Sequence, residues 1–458
     1  MEDYSSIAQP EPPTKKFKIL RIVVYVLTAL LYGLVNFHKL CPSIVAEDMA
    51  KAYNVSTSEL SIFSGIYFYP YAVMQPISGL FADMFDPCFV VGGFGLLTSV
   101  GSIMCGLSHQ LTIGIIGRFL VGIGTGPAYI CCLRVSANWF KSEQLPLMLG
   151  ILMAFSTVGG IIAGSPLSLF CKKFGWRVAF YTIGGFGTLL SLVIMFFTKG
   201  KPEGYGFEPV NERAVKVEDK RSFCQKLGSL FSNIGQVIRV WRFWTIVLFN
   251  INCVIPYFNV ASYWGGPFLI DVRHYTNTET GNIIIFISIG LLVGSILLPV
   301  GHKIFKTKKW IMFASGVFVA FSTGMLYFHG DKCSKILIIV YFFVLGMFTL
   351  SLASIDYSLL TSYYSPDISG FATGIANFFL FGMVGVVMQI SSKIISHFGS
   401  SLNEKGLKSY TWDGYKNGLW LFSFVSGLVS LIFASTTYDP DSKCCGKRGS
   451  ATDVPLLD

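Results

Sequence analysis

Twelve apolar runs, each near the roughly 20 residues that a helix needs to cross a bilayer, recur along this chain and restrict its fold more than any other feature. They lie near residues 22–45, 59–83, 88–107, 111–133, 146–170, 177–197, 243–266, 279–299, 309–328, 335–355, 368–391 and 416–435. Inside lipid every backbone N–H and C=O has to be paired, which leaves helices or closed barrels. Barrel strands read as short alternating segments, whereas these runs are continuous and rich in Gly and aromatic residues. The expected class is therefore all-α, a polytopic membrane protein of twelve transmembrane helices. Residues 1–21 are polar and basic and lead into a run of full span length, so the first run is expected to be kept as a span.

A long polar segment, 198–242, divides the spans six and six. The expected organisation is a tail (1–21), a first repeat (22–197), a linker (198–242), a second repeat (243–435) and a second tail (436–458). Of the 35 Lys and Arg, 22 fall on the side of the termini, 11 on the other, and Lys39 and Arg118 lie inside spans. That asymmetry predicts that both termini are cytoplasmic. The net charge of +10 then meets anionic lipid, and nothing calls for nucleic acid. The partners expected are the lipid bilayer and a small-molecule substrate, with the oligomeric state open. The 11 Cys form no CxxC and no regular framework; Cys444-Cys445 is a candidate for palmitoylation.

The halves look duplicated. A shift of 224 residues places Phe119 on Phe343, Gly122 on Gly346, Gly150 on Gly374, Phe155 on Phe379, Ser168 on Ser392, Phe174 on Phe398 and Gly175 on Gly399. The last span needs a larger offset, because 400–415 reads as an insertion. Two parallel six-helix repeats are the architecture of rocking carriers, with the substrate held between the halves.

The segment from Gly117 through Arg118 and Gly122-Ile123-Gly124 to Pro127, with Asn138-Trp139-Phe140 and Gly175-Trp176-Arg177, resembles the major facilitator superfamily over 20–436. Gly79-Leu80-Phe81-Ala82-Asp83 resembles its first-loop signature without the basic residues that follow; its repeat, beginning at Gly301, keeps the basic ones. The resemblance implies a gating role for Gly79, Asp83 and Gly301. Asn36-Phe37-His38-Lys39 and Ser56-Thr57-Ser58-Glu59 resemble the organic anion group, which includes sialin-type and sugar-acid carriers. That group carries an acid before its first-span Arg and a Glu in the fourth span. Here His38, Lys39 and Thr125 stand instead, so its carboxylate proton coupling is not implied.

Lys39 and Arg118 lie roughly 10 Å below the same surface by helical rise, and together suit a carboxylate or phosphate. The plainer readings are a Lys39 that snorkels to the interface and an Arg118 that bonds backbone carbonyls. His38 is a candidate proton carrier or a packed neutral ring, pointing about 100° from Lys39. Asn259, Tyr263 and Asn377 are candidates from the second repeat, beside Asn250, Asn252 and Gln389, with helix-to-helix bonding as the alternative. Tyr67, Tyr69 and Tyr71 are candidate path-lining residues. No catalytic, metal-ligand or nucleotide motif is in a usable setting, so neither an enzyme nor a cofactor is expected.

The expected function is secondary or facilitative transport of a small organic solute, favouring an anion, by alternating access. The alternatives are a lysosomal-type dipeptide or amino-acid uniporter of the same superfamily and a non-transporting solute sensor. The Tyr4–Ile7 and Asp453–Leu457 patterns resemble endosomal or lysosomal sorting signals, leaving the plasma membrane and those membranes open.

Overall fold

The computed structural model describes residues 14–211, 223–402 and 408–439. Cys444-Cys445 and both sorting patterns lie outside them. Among the described residues ten helices are long and apolar enough to span a membrane, and a pair bent by 41° in the fifth position makes eleven. The twelfth is span 2, which a break at Ile66 and Tyr67 divides into Thr57–Gly65 and Phe68–Met84.

In chain order the spans are Lys15–Tyr53; the span 2 pair; Pro87–Leu107; Leu111–Thr125 with Ala128–Trp139; Leu145–Ile162 with Ser165–Phe174; and Trp176–Phe197. A linker helix, Phe223–Ile238, precedes the second six. These are Trp241–Asp271, Asn277–Phe305, Lys309–His329, Lys335–Thr361, Pro366–His397 and Trp412–Thr436. The insertion between spans 11 and 12 carries a two-stranded antiparallel ribbon, β1 (Ser400–Leu402) and β2 (Lys408–Tyr410), with Ser400 opposite Tyr410. Large side chains such as Leu189, Phe321 and Ile432 are exposed around the bundle, where lipid tails meet them.

Duplication is visible in local chemistry. Span 2 starts at a capping box of Ser56 with Glu59, and span 8 at one of Thr276 with Glu279. In each, the hydroxyl accepts an N–H of the first turn while the carboxylate takes the N–H of the cap residue. Gly122 of span 4 lies so close to span 2 that a Cβ would fall 2.3 Å from the Tyr67 carbonyl oxygen. Its repeat mate Gly346 meets the Ile287 carbonyl of span 8 in the same way, at 1.9 Å. Only a residue without a side chain allows backbones to approach so closely.

The hydrogen bonds described between the repeats gather on the side opposite the termini. Pro256 interrupts the ladder of span 7, and a π-helical turn, Asn259–Trp264, follows. Carbonyls of that turn are taken by the first repeat: Ser43 Oγ donates to Tyr263 O at 3.1 Å and Ser64 Oγ to Ser262 O at 3.2 Å. The Gly266 N–H donates to Ser43 Oγ at 3.0 Å, and the Ser58 and Ser392 hydroxyls are 2.7 Å apart. Ser165 Oγ donates to Asn282 Oδ1 across spans 5 and 8. This side is sealed.

Gly266 is the tightest point of that seal, since a Cβ there would lie 1.9 Å from the Ser43 carbonyl oxygen. Gly266→Ala is expected to force spans 1 and 7 apart and open it. A Ser58→Cys/Ser392→Cys pair reads this directly: it is expected to oxidise to a disulfide readily alone and several-fold more slowly with Gly266→Ala. Equal rates would show that the seal does not depend on this approach.

Candidate functional site

Helix breaks decide where the two buried cations go. Pro42 sits inside span 1 and has no N–H, so the carbonyl four residues earlier, that of His38, loses its helical partner. Phe63 lies in the last turn of Thr57–Gly65, where carbonyls also lack intrahelical donors. Arg118 reaches both: Nη1 donates to His38 O at 2.8 Å and Nε to Phe63 O at 3.3 Å. Its guanidinium carbon lies 5.3 Å from the Phe63 ring centroid and 4.9 Å from that of Tyr67, and the residue is 0% exposed. Arg118 therefore pins spans 1 and 2 to span 4 within the first repeat.

Lys39, one residue beyond His38, goes elsewhere. Its Nζ donates to the Tyr71 hydroxyl at 3.0 Å and lies 4.2 Å from the Tyr71 ring centroid. It is also 4.9 Å from the Phe381 centroid and 6.0 Å from that of Phe258, both in the second repeat. The ammonium thus stands at the seam between the repeats, 7% exposed, with no acidic partner among the described residues. Tyr67 and Tyr71 are stacked at 5.5 Å, with Arg118 over one ring and Lys39 over the other. Breaks in spans 1 and 2 offer Arg118 carbonyls that Lys39 does not share, while Arg118 Nη2 is buried without a partner and Lys39 faces the seam.

Below Lys39 a polar chain crosses the seam. Gln75 Nε2 donates to Tyr71 O at 3.4 Å, Asn377 Nδ2 donates to Gln75 Oε1 at 3.2 Å, and the Tyr357 hydroxyl donates to Asn377 Oδ1 at 2.5 Å. Sequence reasoning named Lys39, Tyr71 and Asn377 but missed Gln75 and Tyr357. Gln75 stands four residues after Tyr71, on the same helix face, and that spacing was the available signal.

The remaining candidates are placed as follows. His38 is 1% exposed, its Nδ1 has no partner, and it lines a small cleft inside the first repeat with Thr98, Ser99 and Thr125, away from the seam. Thr125 Oγ1 is 2.8 Å from the Tyr67 hydroxyl. Asn259 Nδ2 donates to Ser391 Oγ at 2.8 Å within the second repeat. The Tyr263 hydroxyl donates to Thr57 O in the seal. Asn252 Nδ2 donates to Leu248 O of its own helix, and Gln389 Oε1 accepts from Ser61 at 3.4 Å. Asp83 pairs with Arg134 at 2.5 Å, both about half exposed, on the side of the termini. Gly79 and Gly301 have no close neighbour that would exclude a side chain.

Two buried acids inside the helices, among others nearer the surface, escaped the span boundaries read from sequence. Span 1 continues to Tyr53 and buries Glu47, two turns beyond Lys39. Span 10 continues to Thr361, past 355, and buries Asp356 completely. Both helices run on because pairing their backbone groups continues to favour helix beyond the apolar window.

Comparison with known proteins gives this geometry a family. A protein named as a probable sulfoacetate transporter of Cupriavidus necator is 28% identical over 174 residues, 38% of this chain and 40% of that protein. The hexuronate transporter of Escherichia coli K12 is 22% identical over 293 residues, covering 61% of this chain and 66% of its own. The aligned part thus spans less than two thirds of either relative. Among solved structures, a bacterial homologue of the human lysosomal transporter Spinster, inward-facing and unoccupied, superposes with a TM-score of 0.66 at 17% identity, over 92% of this chain and 96% of that one. A D-xylose-proton symporter gives 0.67 at 13% identity, over 92% and 97%. The sequence profile of the Major Facilitator Superfamily matches residues 22–389, and the chain, a multi-pass integral membrane protein, belongs to that superfamily.

Proposed function

We propose that the chain is a secondary or facilitative carrier that moves a small organic anion of the sugar-acid kind by alternating access. One observation carries the reading: Lys39 is a buried ammonium at the seam of the repeats, with a hydroxyl and aromatic rings around it and no acidic partner among the described residues. An isolated charge in such a place is costly, and a carboxylate or phosphate arriving there turns the cost into a charge-assisted pair. Tyr71, Gln75, Asn377 and Tyr357 supply hydroxyls and amides that suit a polyol attached to the acid. Four sequence relatives, named as sulfoacetate, hexuronate, ascorbate and L-galactonate transporters, carry names that describe acidic solutes.

In this reading Lys39 is the anion contact and Arg118 holds the first repeat together. Both termini face the cytoplasm, as the excess of Lys and Arg on their side favours. The sealed face then looks outward, and the Asp83–Arg134 pair belongs to the cytoplasmic gate.

A thermal-shift screen of the purified protein tests the substrate class. D-glucuronate, L-galactonate, sulfoacetate and glucose 6-phosphate are compared with D-glucose and a neutral dipeptide. At least one acid is expected to raise the unfolding midpoint of the wild type and leave Lys39→Met unmoved. Equal stabilisation of both proteins by glucose or the dipeptide would sink the anion reading.

A further inference from the structure

Asp356 is a second buried ionisable group without an ion partner among the described residues, and the anion site does not use it. It is 0% exposed, and neither carboxyl oxygen has a donor in close hydrogen-bond geometry, the Asn250 side chain being the one hydrogen-bonding group described beside it. The Asn250 side chain of span 7 faces it, but the amide nitrogen of Asn250 is turned to the Ile246 carbonyl at 3.3 Å. Spans 7, 8 and 11 pack on the helix that carries Asp356. The titratable groups described as interacting with it are Cys253 on span 7 and Tyr357 on its own helix, both ordinarily neutral. No cationic side chain among the described residues pairs with it.

The backbone beside Asp356 is irregular. Span 10 leaves helical geometry at Thr349 (φ −115°, ψ −102°), makes a tight turn over Leu350–Leu352, and resumes as Ala353–Thr361. Asp356 sits in the first turn of that resumed helix. The helix N-terminus offers about half an elementary positive charge, too little to neutralise a buried carboxylate. Broken spans of this kind expose carbonyls that ligate cations in carriers. Asn250 and Cys253, three residues apart on one face of span 7, border the break, with Cys253 Sγ donating to Phe348 O at 3.4 Å. The repeat offset places Cys132 at the equivalent point of the first repeat, so shared packing does not demand an acid here.

We propose that Asp356 is the carboxylate of a binding site for one monovalent cation, a proton or Na⁺, in the second repeat. A proton forms an O–H on one carboxyl oxygen. Na⁺ instead takes the carboxylate with further oxygens, for which the Asn250 amide and the carbonyls of the broken turn are at hand. Asp356 stands five residues before Thr361, about 8 Å by helical rise, so the nearer end of span 10 is the one on the side of the termini. The site is independent of the anion reading, because its occupancy can be measured with no organic substrate present.

The test is the thermal unfolding midpoint of the purified full-length protein, wild type against Asp356→Asn. It is measured across mildly acidic to mildly alkaline pH in choline chloride, and at fixed pH with Na⁺ replacing choline at constant ionic strength. A cation that binds the folded state raises the midpoint by mass action. The wild type is expected to gain stability on acidification if the cation is a proton, or on Na⁺ addition if it is Na⁺, and Asp356→Asn is expected to lose that response. A wild type indifferent to both, or an Asn variant that responds as the wild type does, overturns the proposal. Should the Asn variant fail to fold, Asp356→Glu replaces it: a displaced dependence supports the site and an unchanged one overturns it.

Discussion

Lys39→Met is expected to make the ligand-free protein more stable while removing its response to the anion. The Met side chain keeps most of the volume and the unbranched shape, so packing against Tyr71 and Phe381 survives. The ammonium's hydrogen bond to Tyr71 and its aromatic contacts are lost, the latter worth up to about 2 kcal/mol when desolvated. Against this stands the cost of a buried charge without a counter-ion, several kcal/mol per ion even after relaxation. The second effect is larger, and a net gain of about 1–3 kcal/mol is expected in the apo protein. A charge-assisted bond is worth about 1.5–3 kcal/mol, so affinity for the best acid should fall roughly 10- to 100-fold. Unfolding midpoints with and without ligand, and a direct titration, check both halves. A variant both less stable and equally able to bind would make Lys39 a structural residue.

Arg118→Met is expected to do the reverse. The side chain holds two carbonyls that helix breaks have released, those of His38 and Phe63, and its removal leaves the first with only the weak Cys41 Sγ–H at 3.8 Å and the second without a described side-chain donor. Unlike the Lys39 ammonium, this guanidinium is solvated by two carbonyl dipoles, so relief of its buried charge is smaller, and losing two bonds from a charged donor at about 1.5–3 kcal/mol each sets a net loss of about 2–3 kcal/mol. Arg118→Lys keeps the charge but not the planar fork, and should rescue only in part. Size-exclusion profiles and thermal unfolding read the loss; the fraction that does fold is expected to bind the acid with nearly unchanged affinity. A stable Arg118→Met protein with abolished anion binding would return Arg118 to the substrate site.

The two cations carry the same charge and sit near one another in sequence-derived depth, yet the structure gives them opposite consequences. Their burial was legible from the apolar runs alone. Their separation depended on Pro42, whose effect on the His38 carbonyl is local chemistry and also readable, and on the break at Ile66 and Tyr67, which is flanked by Gly65 and by Pro70, whose missing N–H leaves the Ile66 carbonyl without its helical partner. Duplication was legible through Gly122 and Gly346, because glycine at a close helix approach leaves a trace at a fixed offset. Asp356 escaped because hydropathy ends a span at its first charge, whereas the helix itself continues. Asn259 and Tyr263 were candidates for the site or for helix-to-helix bonding, because polar groups in a span can do either. Their described hydrogen bonds join helices, Asn259 to span 11 and Tyr263 to span 2.

Uptake of the radiolabelled acid that emerges from the screen, into proteoliposomes holding wild-type or Lys39→Met protein, tests the central claim most directly. Saturable uptake by the wild type, competed by other acids and not by glucose, with at least a tenfold loss in the equally well-folded Lys39→Met protein, is the expected result. Binding without flux under any imposed gradient, or flux that Lys39→Met leaves intact, would contradict it.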